Sequence, residues 1–116
     1  MTLINLSPKT VHDRLAAHEI VLIDVREPSE FSGERIHGAL NFPMSSFDPR
    51  ALPAEDGKEI VFQCGSGMRS AKAVQACQAA GLAHNAHLQG GIMAWKAAGL
   101  PTVTVDPATG RVIDRR

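Results

Sequence analysis

The sequence predicts an α/β fold with a mainly parallel sheet. Short apolar runs that are typical of strands alternate with segments in which apolar residues recur at helical spacing. One apolar run, at residues 20–25, is interrupted only by Asp24, which is the pattern of a strand covered on both faces. The chain has 116 residues, enough for one domain with its own core.

Capping and turn residues give the order of the elements. Ser7 and Pro8 suit the N-cap and the first position of a helix. Gly99 suits a helix C-terminus, and Pro101 prevents continuation. The predicted strands cover residues 3–6, 20–25, 39–42, 59–63 and 84–88. The first predicted helix begins at Pro8, and the other predicted helical segments cover residues 28–32, 48–52, 71–80 and 92–98.

Composition restricts the function classes. Twelve basic residues balance twelve acidic ones, so net charge gives no support for nucleic acid or a membrane surface as a partner. The chain has no apolar run of membrane-spanning length and no signal-peptide pattern, so we expect a cytoplasmic protein. Two cysteines do not make a disulfide framework, and the five histidines show no metal-ligand spacing with them. We therefore expect neither a metal nor another cofactor.

Cys64 lies where a reactive thiol is expected. It follows the predicted strand at residues 59–63 and opens a small-residue loop that leads into a helix. Free backbone N–H groups and the helix dipole favour thiolate over thiol at such a place. Asp24 and Arg26 end another strand, and the carboxyl ends of parallel strands meet at one edge, where ligands bind. The residues of the loop are Gly65, Ser66, Gly67, Met68, Arg69 and Ser70.

Four segments resemble the single-domain rhodanese family of sulfurtransferases. Residues 23–31 resemble its D-V-R-x-x-x-E-[FY] segment, and residues 37–43 resemble its H-G-A-x-N-x-P segment. Residues 64–70 resemble its C-x-x-G-x-R-S active loop, and residues 88–101 resemble its closing segment. The resemblance implies a five-stranded parallel sheet flanked by helices on both faces. It also implies that residues 1–101 form the catalytic domain.

The resemblance implies sulfur transfer through a persulfide on Cys64. The Cys64 thiolate would take the outer sulfur of a small donor such as thiosulfate. A thiol or cyanide, or a protein acceptor, would then remove that sulfur. Gly65 to Ser70 would bind the donor, and Arg69 would add a cation at the end of the loop. The start of the loop also resembles mercaptopyruvate sulfurtransferases, so 3-mercaptopyruvate stays open as the donor.

Structural roles compete with functional ones at several positions. Asp24 is expected to form a structural ion pair, whereas Arg26 could brace the loops or bind an anion. Arg69 in the first turn of a helix favours an anion or a carboxylate as its partner. Cys77 shares an apolar helix face with other residues and is expected in the core. No function is assigned to His87.

Two other functions compete with sulfur transfer. Cysteine phosphatases and arsenate reductases of similar fold use a C-x5-R loop, but the spacing from Cys64 to Arg69 is C-x4-R. The tighter ring of amides suits a full phosphate or arsenate less well. A non-catalytic rhodanese-like docking or regulatory domain is the second alternative, although such domains typically lose the cysteine that this chain retains.

Residues 102–116 form a C-terminal extension beyond the resemblance. Residues 102–105 alternate at period two, residues 106–110 are rich in turn residues, and a second alternating arm follows. The pattern predicts a β-hairpin, with an unstructured end as the alternative. A lone hairpin is marginal in water, so it would pack on the domain or on a second copy. The chain is therefore expected to be a monomer or a homodimer.

Overall fold

Strands and helices alternate along the chain, as the sequence predicts. The computed structural model describes residues 2–53 and 57–116. Within these ranges the strands are β1 Ile4–Leu6, β2 Ile20–Asp24, β3 Glu34–Arg35, β4 Leu40–Asn41, β5 Glu59–Gln63, β6 Ala86–Leu88, β7 Val103–Val105 and β8 Val112–Asp114. The α-helices are α1 Pro8–Ala16, α2 Pro28–Gly33, α3 Met68–Ala79 and α4 Gly91–Ala97. None of these helices is long and apolar enough to cross a membrane.

Five strands pair in parallel in the order β1-β6-β5-β2-β4 and form the central sheet. β2 and β5 lie side by side, from Ile20 opposite Glu59 to Asp24 opposite Gln63. Because both strands run in one direction and end at the same level, the segments that follow them are neighbours at the carboxyl edge. The predicted α/β fold with a five-stranded parallel sheet is therefore confirmed.

Helices cover both faces of the sheet, because successive side chains of a strand point to opposite sides. Leu22 of β2 and Val61 of β5 pack in one cluster with residues of α1 and α4, including Trp95. Their neighbours Ile23 and Phe62 pack against α3 in a second cluster. Burying one such side chain contributes about 1.5–3 kcal/mol. This two-sided burial explains the continuous apolar pattern of β2.

α1 begins where its capping residues predict. The Thr10 N–H donates to Ser7 Oγ at 3.2 Å, and Pro8 takes the first helical position. One turn later, Val11 is fully buried in the cluster beneath the helix. The cap therefore fixes the residue at which α1 begins.

α3 begins at Met68, three residues before the predicted start at Ala71. The residue before it, Gly67, has a φ of 105°, a backbone conformation that only glycine adopts readily. This conformation lets the chain turn directly from the Cys64 loop into the helix. The end of the predicted loop is therefore the first turn of α3.

The C-terminal residues form a second, smaller sheet. β7 pairs antiparallel with β3 on one side and with β8 on the other, and Val105 lies opposite Val112. Thr102 Oγ1 donates to Glu34 Oε2 at 2.7 Å, and Val103 is 3% exposed. The first arm of the tail is thus packed on the body of the domain, whereas β8 is its exposed outer edge.

β3 is an element that sequence patterns do not predict. It consists of Glu34 and Arg35, and two charged residues carry no strand pattern. It is a strand because β7 pairs with it. The division between residues 1–101 and 102–116 stays a prediction, and the pairing of β3 with β7 crosses it.

Truncation tests how much of the tail the fold needs. Removal of residues 106–116 takes away β8 but leaves β7 on β3, so we expect the free energy of unfolding to fall by less than about 1 kcal/mol. Removal of residues 102–116 also deletes the buried Val103, and we expect a loss of about 2 kcal/mol or more. Urea denaturation of the two variants measures the difference. Equal losses would contradict the different burial of the two arms.

Candidate active site

Cys64 follows the last residue of β5 and lies at the carboxyl edge of the sheet. The residue is 1% exposed and belongs to the cluster between the sheet and α3. The chain crosses the edge at residues 65–67 and then enters α3. Ser66 and Met68 are exposed on the outside of this turn, whereas Ser70 is buried on its inside. The loop predicted from the sequence therefore turns around one buried sulfur.

Two backbone N–H donors and the Ser70 hydroxyl surround this sulfur. The Gly67 N–H lies 3.0 Å from Cys64 Sγ, the Ser70 N–H lies 3.4 Å from it, and Ser70 Oγ lies 3.5 Å from it. Burial raises the pKa of the Cys64 thiol, but hydrogen bonds outweigh burial. They come from the Ser70 side chain and from the N–H groups of Ser70, Gly67 and Ser66, and they lower the pKa below its ordinary value. The loop therefore favours the nucleophilic thiolate.

α4 begins directly beneath the loop. The Ile92 N–H donates to the Cys64 carbonyl at 2.8 Å, and the Met93 N–H donates to the Gly65 carbonyl at 3.1 Å. Gly91 permits this approach, because a Cβ at that position would overlap both carbonyl groups. The glycine of the predicted closing segment is thus required by the distance between α4 and the loop.

Arg69 is paired with a carboxylate of α2. Its Nη1 donates to Glu30 Oε1 at 2.7 Å, and its Nη2 donates to Glu30 Oε2 at 3.1 Å. This hydrogen bonding lowers the pKa of Glu30 to about 2, so the pair stays charged at neutral pH. Of the two partners considered for Arg69, the structure provides the carboxylate. Glu30 is not among the predicted site residues, although it occupies the glutamate position of the D-V-R-x-x-x-E-[FY] segment.

Asp24 and Arg26 form a buried ion pair at the end of β2. Arg26 Nη2 donates to Asp24 Oδ2 at 2.8 Å and to the Glu34 carbonyl at 2.7 Å, and Arg26 Nε also contacts the carboxylate at 3.1 Å. Asn41 Nδ2 donates to the carbonyl groups of both residues. These contacts tie β2 to β3 and β4. The guanidinium group of Arg26 therefore braces the sheet edge.

A buried histidine connects to the site through Ser70. Ser70 Oγ lies 2.8 Å from His87 Nδ1, and His87 Nε2 lies 2.6 Å from Asn5 Oδ1. His87 is 4% exposed, and this burial lowers its pKa, which favours the neutral imidazole. Sequence reasoning assigned His87 no function, and its position in a three-residue strand gives no signal of one.

The second cysteine, Cys77, is far less suited to chemistry. It is fully buried in α3, and this burial raises the pKa of its thiol. The two cysteines are not bonded to each other. In the ranges that the structure describes, no cluster of three His, Cys, Asp or Glu side chains could hold a metal ion. The site is therefore built around one sulfur and the loop amides.

Known proteins match the chain in sequence and in structure. Residues 7–98 match the rhodanese-like domain. The protein slr1261 of Synechocystis sp. is 44% identical over 102 residues, which are 88% of this chain and 57% of slr1261. A sulfurtransferase of Allochromatium vinosum is 32% identical over 99 residues, which are 84% of this chain and 92% of that protein. This chain thus spans less than two thirds of slr1261 but nearly all of the second relative.

A solved structure gives the same result for the fold. The rhodanese-related protein of Thermoplasma volcanium superposes with a TM-score of 0.72 at 29% identity. The superposition covers 86% of this chain and 97% of that protein. By sequence match and by fold, the chain belongs to the rhodanese-like domain family.

Proposed function

We propose that this protein is a sulfurtransferase that moves a sulfane sulfur from a donor such as thiosulfate to a thiol or to cyanide. The carrier is a persulfide on Cys64. The observation that carries the proposal is the set of loop donors around Cys64 Sγ, with the Gly67 N–H at 3.0 Å and the Ser70 N–H at 3.4 Å. A relative of similar length that is named a sulfurtransferase supports the same reaction class.

The reaction has two displacement steps. In the first, the Cys64 thiolate attacks the outer sulfur of thiosulfate. A new S–S bond forms, the S–S bond of thiosulfate breaks, and sulfite leaves with the electron pair. In the second, the acceptor attacks the outer sulfur of the persulfide, and the Cys64 thiolate leaves. Both steps need a stabilised anionic sulfur on the enzyme, which the loop amides provide.

The pairing of Arg69 affects which donor suits the site. Its charge is balanced by Glu30, so the loop binds an anion mainly with neutral N–H dipoles. Such a site stabilises a single negative charge on sulfur well, but it attracts a dianion only weakly over distance. We therefore expect thiosulfate to be used with modest affinity.

The same pairing argues against phosphoryl chemistry. A phosphatase loop needs its arginine to face the phosphoryl oxygens. Here the fork of Arg69 is occupied by both oxygens of Glu30. The short C-x4-R spacing and the arginine contacts therefore both favour sulfur transfer over the phosphatase alternative. The non-catalytic alternative is not favoured, because Cys64 is present and its pKa is lowered.

Replacement of Cys64 tests the carrier. Incubation with thiosulfate should add the mass of one sulfur atom to the wild-type protein and to Cys77→Ser, but not to Cys64→Ser. A serine hydroxyl stays protonated and cannot carry a sulfane sulfur. Thiocyanate formation from thiosulfate and cyanide should fall by about 10³-fold or more in Cys64→Ser. Intact-mass analysis and the thiocyanate assay measure the two effects, and a fully active Cys64→Ser would exclude the proposal.

The pH dependence of alkylation tests the state of the thiol. In a Cys77→Ser background, the reaction of Cys64 with iodoacetamide should follow its thiolate fraction. The rate rises with pH through the pKa, so a lowered pKa places the midpoint below about 8.5. Ser70→Ala removes a hydrogen bond that lowers the pKa, and its midpoint should lie higher than that of the parent. A parent midpoint above that of free cysteine would contradict the role of the loop.

Glu30→Gln tests the balanced charge of Arg69. The substitution removes the negative charge but not the shape, so Arg69 gains an unpaired charge beside the loop. We expect the KM for thiosulfate to fall several-fold. Stability should change by about 1 kcal/mol or less, because the pair is more than one third exposed.

A matched control for Glu30→Gln lies at the opposite end of the sheet. Glu59 accepts from Arg14 Nη1 at 2.9 Å, so Glu59→Gln removes the same charge from a similar pair. This variant should keep the parent KM. If the two variants change the KM equally, the effect arises from net charge and Arg69 has no special position.

A further inference from the structure

Four side chains form a continuous hydrogen-bonded chain that leads inward from the sulfur. Cys64 Sγ lies 3.5 Å from Ser70 Oγ, which lies 2.8 Å from His87 Nδ1. His87 Nε2 lies 2.6 Å from Asn5 Oδ1. Cys64 directly follows β5, the other members lie in α3, β6 and β1, and β6 lies between β1 and β5 in the sheet. Residues 5 and 87 are direct partners in the register of β1 and β6.

The contact with Asn5 sets the direction of the hydrogen bonds in this series of four side chains. The carboxamide oxygen of Asn5 can only accept, so the neutral His87 carries its proton on Nε2. His87 Nδ1 is then an acceptor, and at 2.8 Å it is closer to Ser70 Oγ than the competing Gly67 carbonyl at 3.2 Å, so it takes the hydroxyl proton of Ser70. The lone pairs of Ser70 Oγ therefore face the sulfur and can accept from the Cys64 thiol. The thiol form of the protein is thus connected to a basic nitrogen through one hydroxyl.

We infer that His87 is a positioning residue that takes up the proton of the Cys64 thiol through the Ser70 hydroxyl. The S–H bond breaks as a new O–H bond forms at Ser70, and the original Ser70 proton passes to His87 Nδ1. The products are a thiolate, a Ser70 hydroxyl that donates to the sulfur, and an imidazolium ion. Two protons shift by one hydrogen bond each, so the net change is one proton from Cys64 to His87, and no electrons are transferred. The inference rests on the proposed role of Cys64 as the sulfur carrier.

The hydrogen bonds at Ser70 can reverse their direction, so they suit both the thiol and the thiolate form of Cys64. Before transfer, Ser70 accepts from the thiol and donates to His87. After transfer, it accepts from His87 Nδ1–H and donates to the thiolate, while Nε2–H still donates to Asn5. No hydrogen bond is lost in the exchange, which matters because Ser70 and His87 are buried.

Within the described residues, the charged groups near these four hydrogen-bonded side chains are already paired. α3 contributes Arg69, which is held by Glu30 of α2. Asp24 and Arg26 pair with each other at the end of β2. Cys77 of α3 belongs to the same buried cluster as Cys64, and the neutral Asn5 of β1 contacts His87. His87 is therefore the neutral titratable group that contacts the Cys64 loop.

The test compares three variants in a Cys77→Ser background by the pH dependence of Cys64 alkylation with iodoacetamide. His87→Asn offers Ser70 an amide oxygen as acceptor but cannot take up a proton. His87→Phe removes both hydrogen bonds. Asn5→Asp makes His87 more basic. We expect the midpoint of the alkylation rate against pH to rise by about one unit in the first two variants, which is a tenfold fall in rate at pH values well below both midpoints. We expect the midpoint to fall in Asn5→Asp.

Three results would overturn the inference. If His87→Asn matches the parent, only the orientation of Ser70 matters and proton uptake is excluded. If His87→Phe alkylates faster, His87 competes with the thiolate for the Ser70 hydroxyl. If all variants match the parent, His87 is merely structural. His84→Asn serves as the control, since His84 is a partly buried histidine just before β6, and it should behave as the parent.

A measurement on a protein that retains both residues covers the case in which His87 variants do not fold. Linkage requires that a change at Cys64 shifts the titration of His87 if the two exchange a proton. ¹⁵N NMR of the His87 ring in the Cys77→Ser protein, before and after Cys64 alkylation, should show a changed pKa and a changed Nδ1 signal. Identical titrations would overturn the inference. Neither experiment measures sulfur transfer, so a negative result here is separate from failure of the persulfide in the mass assay.

Discussion

The Cys64 loop depends on the attachment of its carbonyl groups to α4. The carbonyl groups of Cys64 and Gly65 accept from the first turn of that helix at 2.8 and 3.1 Å. In a planar trans peptide, the C=O and N–H groups point in opposite directions. With these two carbonyl groups turned toward α4, the N–H groups of Gly65 and Ser66 must point away from it, and Ser66 N–H is among the donors that lower the pKa of Cys64. Gly91 makes this geometry possible, because any side chain there would push α4 off the loop.

The site gains its electropositive character from dipoles, since its arginines are neutralised. Arg69 is held by Glu30, and Arg26 is held by Asp24. Both pairs fix backbone: the first joins α2 to the first turn of α3, and the second joins β2 to β3 through the Glu34 carbonyl. Oriented amides are suited to a charge that forms and disappears on one atom, because they are fixed in place and need no reorganisation. The arginines act mainly by keeping those amides where they are.

Sequence patterns gave the parts of the structure that local chemistry determines. The strand before Cys64 and the small-residue loop after it follow from an apolar run and from glycines, so both could be predicted. The pairing of Arg69 with Glu30 could not be predicted, because 39 positions separate the two residues and no local sequence pattern indicates which residue either one contacts. The same holds for His87, which gains its contacts to Ser70 and Asn5 only when β6 is placed beside β1. The start of α3 at Met68 could not be predicted, because it depends on the left-handed backbone conformation of Gly67. A glycine in a loop indicates only that many backbone conformations are allowed, not which one is adopted.

Burial of Cys64 limits which molecules can reach its sulfur, and the proposed persulfide would relax that limit. Cys64 is 1% exposed, so a large acceptor cannot approach its sulfur closely. A second sulfur lies about 2 Å beyond Sγ and extends the reactive atom by that distance. Beside the loop, Met68 begins α3 and the Met93 N–H donates to the Gly65 carbonyl, and the two side chains are 73% and 66% exposed. Burial shields the resting thiol from oxidation, whereas the proposed persulfide would extend the reactive sulfur away from its buried position.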